Sequence, residues 1–260
     1  MNITGALAFW NELPGDLDRC IRGLANIADR VVAVDGAYRR YPTGTARSAD
    51  DQVDAIRSAA RATGMKCLIV QPEEMWAGQV EKRTFLLGVA AIDSDLIVVV
   101  DTDHIITTNR DAVRAHLERA NGVTVWSVPL WTPPNPDKGP KDRAAGLWHE
   151  NQAGQTYHIP HIYRALPGLR VEKRHWWYSA LLNGQRHWLW GGDPSYPAVP
   201  VTPIPVPYQV EHRCLYRTAE QVRISRGFLN DREMVMARTG QEDDVPGLPE
   251  PVYDYERMPE

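Results

Sequence analysis

Cysteine, phenylalanine and long apolar runs are all scarce in this chain of 260 residues. The cysteines, Cys20, Cys67 and Cys214, are widely spaced and form no CxxC pair, which excludes a disulfide framework and a thiolate zinc site. We expect them to be buried, reduced thiols of a cytoplasmic protein. Apolar runs such as 96–100 are far shorter than the ~20 residues that cross a bilayer, so we expect no membrane span.

No charge of one sign dominates the sequence. The 29 Lys and Arg residues against 33 Asp and Glu give a formal charge of -4, which argues against a protein that holds nucleic acid mainly by neutralising phosphates. A local basic segment, 213–238, remains an alternative contact for an anionic partner. The nine tryptophans outnumber the three phenylalanines, and a flat indole with one N–H suits stacking on sugars or bases.

The first half of the chain alternates between strand and helix patterns. Strands are predicted over 3–9, 30–34, 67–70 and 96–100, and the segments between them carry apolar residues at helical spacing. A helix over 111–120 and a strand over 123–128 follow. This order predicts right-handed βαβ units, and therefore an α/β fold with a mostly parallel central sheet flanked by helices. Such sheets bind ligands at the carboxyl ends of their strands.

Two acidic motifs follow predicted strands. Asp101 and Asp103 come directly after the apolar strand 96–100, where two carboxylates can converge on a hard cation such as Mg²⁺ or Mn²⁺ that also binds phosphate oxygens. Asp35 and Gly36 follow the second strand, where an aspartate can bond a ribose or a base and glycine allows a close backbone approach. Loop acids and an ordinary turn are the structural alternatives.

Four blocks of the first half resemble motifs of family 2 glycosyltransferases with the GT-A fold. The blocks are 9–13, 31–37, 82–87 and 95–103, and both their order and their spacing match those of the family. The second half is similar more loosely, at 161–170 and at 210–212. His175 stands where several members carry a His-Glu pair, but the next residue here is Trp176.

The resemblance implies a GT-A fold and a metal-dependent, inverting transfer of a sugar from a nucleotide-sugar, most commonly a UDP-sugar, to an acceptor hydroxyl. It implies Mn²⁺ or Mg²⁺ as the cofactor, held by Asp101, Asp103 and His212. It places the donor against a set of residues from the matching blocks: Trp10, Asp35, Gly36, Lys82, Arg83 and Asp101.

An inverting transfer also needs a general base, because a hydroxyl is a poor nucleophile at neutral pH. Asp193, in a Gly-Gly-Asp loop after a tryptophan-rich stretch, is the favoured candidate, and His175 and Glu150 are alternatives. We expect an acceptor that bears a hydroxyl group, with a saccharide, a small molecule and a modified base in DNA as the alternatives. The oligomeric state stays open.

We expect one GT-A domain over 1–240, with a nucleotide-sugar-binding half (1–128) and a Pro- and Trp-rich acceptor-side half (129–240). Residues 241–260 are expected to form an acidic, Pro-rich tail. A nucleotidyltransferase is the alternative enzyme class. The segment 10–18 lacks the Gly-rich basic loop typical of that class, which favours the glycosyltransferase.

Overall fold

The computed structural model describes residues 1–39, 45–134, 154, 156–213 and 240. The helices and strands in these ranges are β1 (Ile3–Ala8), α1 (Pro14–Leu24), β2 (Arg30–Val34), α2 (Asp50–Ala62), β3 (Lys66–Val70), α3 (Gln79–Ala91), β4 (Leu96–Val100), β5 (His104–Thr108), α4 (Arg110–Arg119), β6 (Val125–Trp131), β7 (Thr156–Arg164), β8 (Arg170–Glu172), β9 (Arg174–Leu182), β10 (Gln185–Trp190), β11 (Val201–Pro203) and β12 (Tyr208–His212).

Local sequence explains where several of these elements begin. Helix α1 starts at Pro14, whose missing N–H costs nothing in a first turn, and Asp16 complements the positive end of the helix dipole. Helix α4 is capped by Asn109, whose side chain accepts a hydrogen bond from the backbone N–H of Ala112 at 3.1 Å. The β-branched strands β2 and β4 are buried along almost their whole length, as expected of central parallel strands.

The strands form one large sheet in the order β3-β2-β1-β4-β7-β6-β12-β5, with β11 beside β6. In this order, the four strands from β3 to β4 are mutually parallel. Strand β7 runs antiparallel to its neighbours β4 and β6. Strand β12 pairs parallel with β6 and antiparallel with β5. A mostly parallel sheet flanked by helices confirms the predicted α/β fold class.

Two apolar cores cover the two faces of this sheet. One core joins it to α1, α2 and α4, through residues such as Leu17, Ile56 and Leu117. The other joins it to α3 and to a small antiparallel sheet of β10, β9 and β8, through residues such as Leu86 and Tyr178. The carboxyl end of β4 lies beside the small sheet, because Asp101 lines one cavity with Trp176, Tyr178 and Trp190.

Several details differ from the sequence-based expectations. Strand β5 directly follows the acidic motif and was not predicted. Cys20 is buried as expected, but Cys67 is exposed, because β3 is the edge strand of the sheet. Residue 128, where the sequence analysis places the border between the two halves of the domain, lies within β6, and the division into halves stays a prediction. Cys214 and almost all of the basic segment 213–238 lie outside the described residues, and so does the tail.

The helices of the described ranges are all too short or too polar to cross a membrane.

Candidate active site

Asp35 lies at the carboxyl end of β2 and is fully buried. Its Oδ1 accepts hydrogen bonds from Gly36 N at 2.7 Å and Ser48 Oγ at 2.6 Å. Its Oδ2 accepts from Ser48 N at 2.9 Å and Gln71 Nε2 at 3.1 Å. A carboxylate has about four lone-pair directions, and all are engaged here. The side chain therefore fixes the loop around Ser48, and a ribose or base could bond it only by replacing one of these donors.

Gly36 permits the sharp turn that follows Asp35. Its φ is +117°, and a Cβ atom at this position would lie 2.5 Å from Pro72 Cγ and 2.7 Å from Trp76 Nε1. The same Trp76 indole donates a 2.8 Å hydrogen bond to the carbonyl of Asp35. Only glycine fits both the backbone conformation and the space, so the chain can pass closely under the indole.

Lys82 projects from α3 into the interior and is 1% exposed. Its Nζ donates to the carbonyl oxygens of Phe9 and Gly36, both at 2.7 Å, and so ties the loops after β1 and β2 together. Burial lowers the pKa of Lys82 to about 7, and the nearby Asp35 carboxylate offsets only part of this shift. Lys82 therefore lies in the protein interior and not on a solvated face of its helix.

Arg83, the next residue of α3, pairs with the first aspartate of the acidic motif. Its guanidinium donates to Asp101 Oδ1 at 2.5 Å. Burial acts against both charges, but their attraction outweighs it: the pKa of Asp101 is held well below its ordinary value and that of Arg83 is raised. The pair stays charged at any physiological pH. Asp101 keeps 43% of its side chain exposed and remains available to a ligand.

Asp103 lies beside two histidines. Its carboxylate and the imidazoles of His104 and His212 offer ligand atoms that all lie within 4.8 Å of one another. The Oδ2 atom of Asp103 is 3.5 Å from His212 Nε2, and the rings of His104 and His212 meet edge to face at 5.3 Å. Burial lowers the pKa of His104 despite the neighbouring carboxylates, which favours the neutral imidazole, the form that binds a metal.

The sheet register creates this cluster. His104 opens β5, His212 closes β12, and the two are direct partners in the antiparallel pairing. Arg213 N also donates to the carbonyl of Asp103 at 2.8 Å, which fastens the end of β12 to the acidic turn. The predicted ligands Asp103 and His212 are thus brought together. His104 joins them where Asp101 was expected, because the Asp101 carboxylate is turned to Arg83.

His104 was not predicted as a ligand, although it directly follows the acidic motif. The signal that could have found it is the run of β-branched residues over 105–108, which favours a strand beginning next to the motif.

Next to this cluster lies a cavity of about 180 Å³, here called the tryptophan cavity. Its lining includes Asp101, His104, His161, His175, Trp176 and Trp190. Of the three candidate bases, His175 is therefore next to the acidic motif.

The structure does not bring Asp193 to this cavity, and Glu150 lies outside the described residues. Asp193 Oδ2 accepts from Lys173 Nζ at 2.6 Å, and Oδ1 accepts from the backbone N–H and hydroxyl of Ser195. The Lys173 and Ser195 contacts hold the pKa of Asp193 well below its ordinary value, which opposes a role as proton acceptor. Its carbonyl accepts from Trp188 Nε1 at 2.8 Å, so Asp193 closes the turn after β10.

Trp10 lies in the loop after β1, partly buried. The neighbouring residues fasten this loop: Asn11 N donates to Ser48 Oγ at 3.1 Å and Glu12 N to Gln52 Oε1 at 2.8 Å. Trp10 thus belongs to the same group of cross-tied loops as Asp35 and Lys82.

No protein-family model and no curated protein matches the chain. Among solved structures it is similar to TarS of S. aureus, at 14% identity over 64% of this chain and 28% of that chain, with a TM-score of 0.41. The complex of TarS 1–349 with UDP gives 17% identity over 54% and 38%, with a TM-score of 0.36.

Glucosyl-3-phosphoglycerate synthase from Mycobacterium tuberculosis, in complex with Mn²⁺, UDP and phosphoglyceric acid, is 15% identical over 63% of this chain and 56% of that one, with a TM-score of 0.31. The chain thus spans well under two thirds of the length of these proteins. The likeness is partial, and the functional proposal rests on the chain's own residues.

Proposed function

We propose that this protein is a metal-dependent, inverting glycosyltransferase that transfers a sugar from a UDP-sugar to an acceptor hydroxyl. The observation that carries the proposal is the grouping of Asp103, His104 and His212 beside the exposed Asp101, at the strand ends where α/β sheets bind ligands. The loops after β1 and β2, which the hydrogen bonds of Asp35 and Lys82 hold in place, lie at the same sheet edge and form the proposed donor pocket.

The donor set of this cluster fits a metal ion. One carboxylate oxygen and two imidazole nitrogens converge, and mixed oxygen and nitrogen ligands suit Mn²⁺ better than Mg²⁺, which prefers oxygen alone. We therefore propose Mn²⁺ held by Asp103, His104 and His212. When bound there, it would supply positive charge against a departing diphosphate.

The chain's own residues supply the rest of the chemistry. Arg83 keeps Asp101 ionised and in place, so that the carboxylate can accept hydrogen bonds from the donor. Lys82 holds the two loops of the donor pocket at a fixed spacing. His175, which lines the tryptophan cavity, is the proposed general base: it takes the proton of the acceptor hydroxyl as that oxygen bonds to the anomeric carbon and the bond to UDP breaks.

Calorimetric titration of UDP tests the donor and metal parts of the proposal. We expect micromolar binding with Mn²⁺, weaker binding with Mg²⁺, and a loss of more than about tenfold in Asp103→Asn. The matched control is Asp111→Asn, which changes an exposed aspartate in the first turn of α4 and should bind UDP like the wild type.

Release of UDP from UDP-glucose, UDP-galactose and UDP-N-acetylglucosamine then measures turnover. Binding that is indifferent to metal and to Asp103→Asn would contradict the metal site. Failure of the folded protein to bind UDP, GDP, CDP or dTDP under any condition would refute the glycosyltransferase.

A further inference from the structure

The tryptophan cavity has a second feature that the proposed donor chemistry does not use, an exposed pair of indoles. Trp176 and Trp190 are 40% and 38% exposed, whereas Trp188 on the same sheet is 1% exposed. Exposing an indole forfeits the large stabilisation of burying it, and the two form part of the lining of one cavity. This arrangement is typical of a surface that a flat ligand covers.

The Trp176 indole is packed against several neighbours. Trp176 meets Trp177 edge to face at 5.7 Å, and the guanidinium of Arg174 lies 6.0 Å from the Trp176 ring centre. Gly191 passes so close that a Cβ atom there would lie 2.4 Å from Trp177 Cδ1 and 2.9 Å from the Trp176 ring. A fixed aromatic surface loses little side-chain entropy when a ligand binds.

The cavity also contains a buried polar group that suits a hydroxyl. His161 is 1% exposed, and its Nδ1 lies 3.1 Å from the hydroxyl of Tyr208. Its Nε2 is buried and has no hydrogen-bond partner among the described residues. A ligand hydroxyl that reached this nitrogen would supply the hydrogen-bond partner that it lacks. Hydrophobic ring faces and single hydrogen-bonding atoms together match the surface of a sugar.

The small sheet carries a weak net positive charge. Lys173 pairs with Asp193 at 2.6 Å, and Glu172 lies 2.9 Å from Arg170 and 3.5 Å from Arg186. Two carboxylates face these three cations and leave about one net positive charge among them, which is little for holding a phosphate backbone. With a volume of about 180 Å³, the cavity has room for a small ligand.

We propose that the tryptophan cavity binds a sugar ring of the acceptor, with Trp176 and Trp190 as the stacking surface and His161 as a hydrogen-bonding partner. The acceptor of the proposed transferase is therefore a saccharide. This inference rests on the proposed function, because the cavity shares His104 with the metal cluster and Asp101 with the donor pocket.

Saturation-transfer NMR on the full chain with UDP and Mn²⁺ tests this proposal. The probes are the methyl glycosides of glucose, galactose, mannose and N-acetylglucosamine. We expect at least one to bind, about tenfold more weakly in Trp190→Ala and in Trp176→Ala, with partial rescue in Trp190→Phe. Phe85→Ala, which removes a 40% exposed aromatic ring outside the cavity, is the matched control and should bind like the wild type.

Two further arms separate the other occupants. Replacing UDP by UDP-2-deoxy-2-fluoroglucose should leave glycoside binding intact, whereas displacement of the glycoside would assign the cavity to the donor sugar and overturn the inference. A single-stranded oligonucleotide containing 5-hydroxymethyluracil should show no binding that depends on Trp190; binding that Trp190→Ala weakens would overturn it in favour of a nucleic-acid acceptor.

A parallel UDP titration distinguishes the two levels of failure. If UDP binds with Mn²⁺ and no glycoside does, the saccharide acceptor is refuted and the proposed function stands. If UDP itself does not bind, the proposed function fails and this inference fails with it.

Discussion

The buried Lys82 makes the stability of the protein depend on pH in a predictable direction. The unfolded chain binds the lysine proton up to the ordinary pKa of 10.5, but the folded chain binds it only up to about 7. Between these values the unfolded state carries more protons, so the free energy of unfolding rises with pH. Below pH 7 both states are protonated, and the folded state bears the full cost of the buried charge.

The size of the effect follows from this shift. Each pKa unit corresponds to about 1.4 kcal/mol, and the linkage relation for pKa values of about 7 and 10.5 gives a gain of about 2 kcal/mol between pH 7 and pH 9. Lys82→Met removes this gain and also leaves two backbone carbonyls, those of Phe9 and Gly36, without their donor. The wild type should therefore gain about 2 kcal/mol over the variant as the pH rises from 7 to 9.

Urea unfolding at pH 7, 8 and 9, followed by tryptophan fluorescence, measures this difference. Subtracting the variant from the wild type at each pH cancels the titration of all other groups that the substitution leaves unchanged. Lys66→Met, which removes an exposed lysine from β3, controls for the loss of one positive charge. A difference between wild type and Lys82→Met that stays constant from pH 7 to pH 9, with equal m-values, would refute the argument that Lys82 is desolvated in the folded state.

Two further substitutions test the loops around the site. Gly36→Ala should lower the free energy of unfolding by about 1–3 kcal/mol, because a Cβ at φ +117° would meet Pro72 Cγ. Gly88 in α3 has open space around it, so Gly88→Ala should leave the free energy of unfolding unchanged or raise it by up to about 1 kcal/mol. The same urea titration measures both variants. Asp193→Asn should keep turnover of the UDP-sugar within a few-fold of the wild type; a loss of about a hundredfold or more in kcat would instead assign Asp193 as the general base.

The first half of the fold could be predicted from the sequence because its signals are local. Apolar residues recur at helical spacing in α1, α2 and α3, and β-branched runs mark β2 and β4. Five-residue β5 was missed because it begins directly after the acidic motif, where no turn residue such as glycine or proline separates it from the motif. Strands β7, β9 and β10 carry many aromatic residues and histidines, which give no clear period of two.

The burial of side chains was harder to predict than the elements that carry them. Lys82 and Arg83 were both predicted to contact the donor. Lys82 is 1% exposed and donates to two backbone carbonyls, whereas Arg83 pairs with Asp101, the residue directly after β4. These partners are more than a dozen residues away in the chain. No local pattern encodes them, and only the packing of α3 against β1 and β2 brings them within reach.

Long-range packing also explains why the two aspartates of the motif differ in their surroundings. The backbone N–H of His104 bonds the carbonyl of Asp101 at 3.0 Å, so the motif forms a tight turn and its two carboxylates need not converge. One faces the guanidinium of Arg83, and the other faces the imidazoles brought in by the β5–β12 register. Spacing alone predicts a shared cation for both carboxylates. The pairing of β12 with β5 separates the two carboxylates instead. Asp101 is then proposed to bind the donor, and Asp103 is proposed to bind the metal ion.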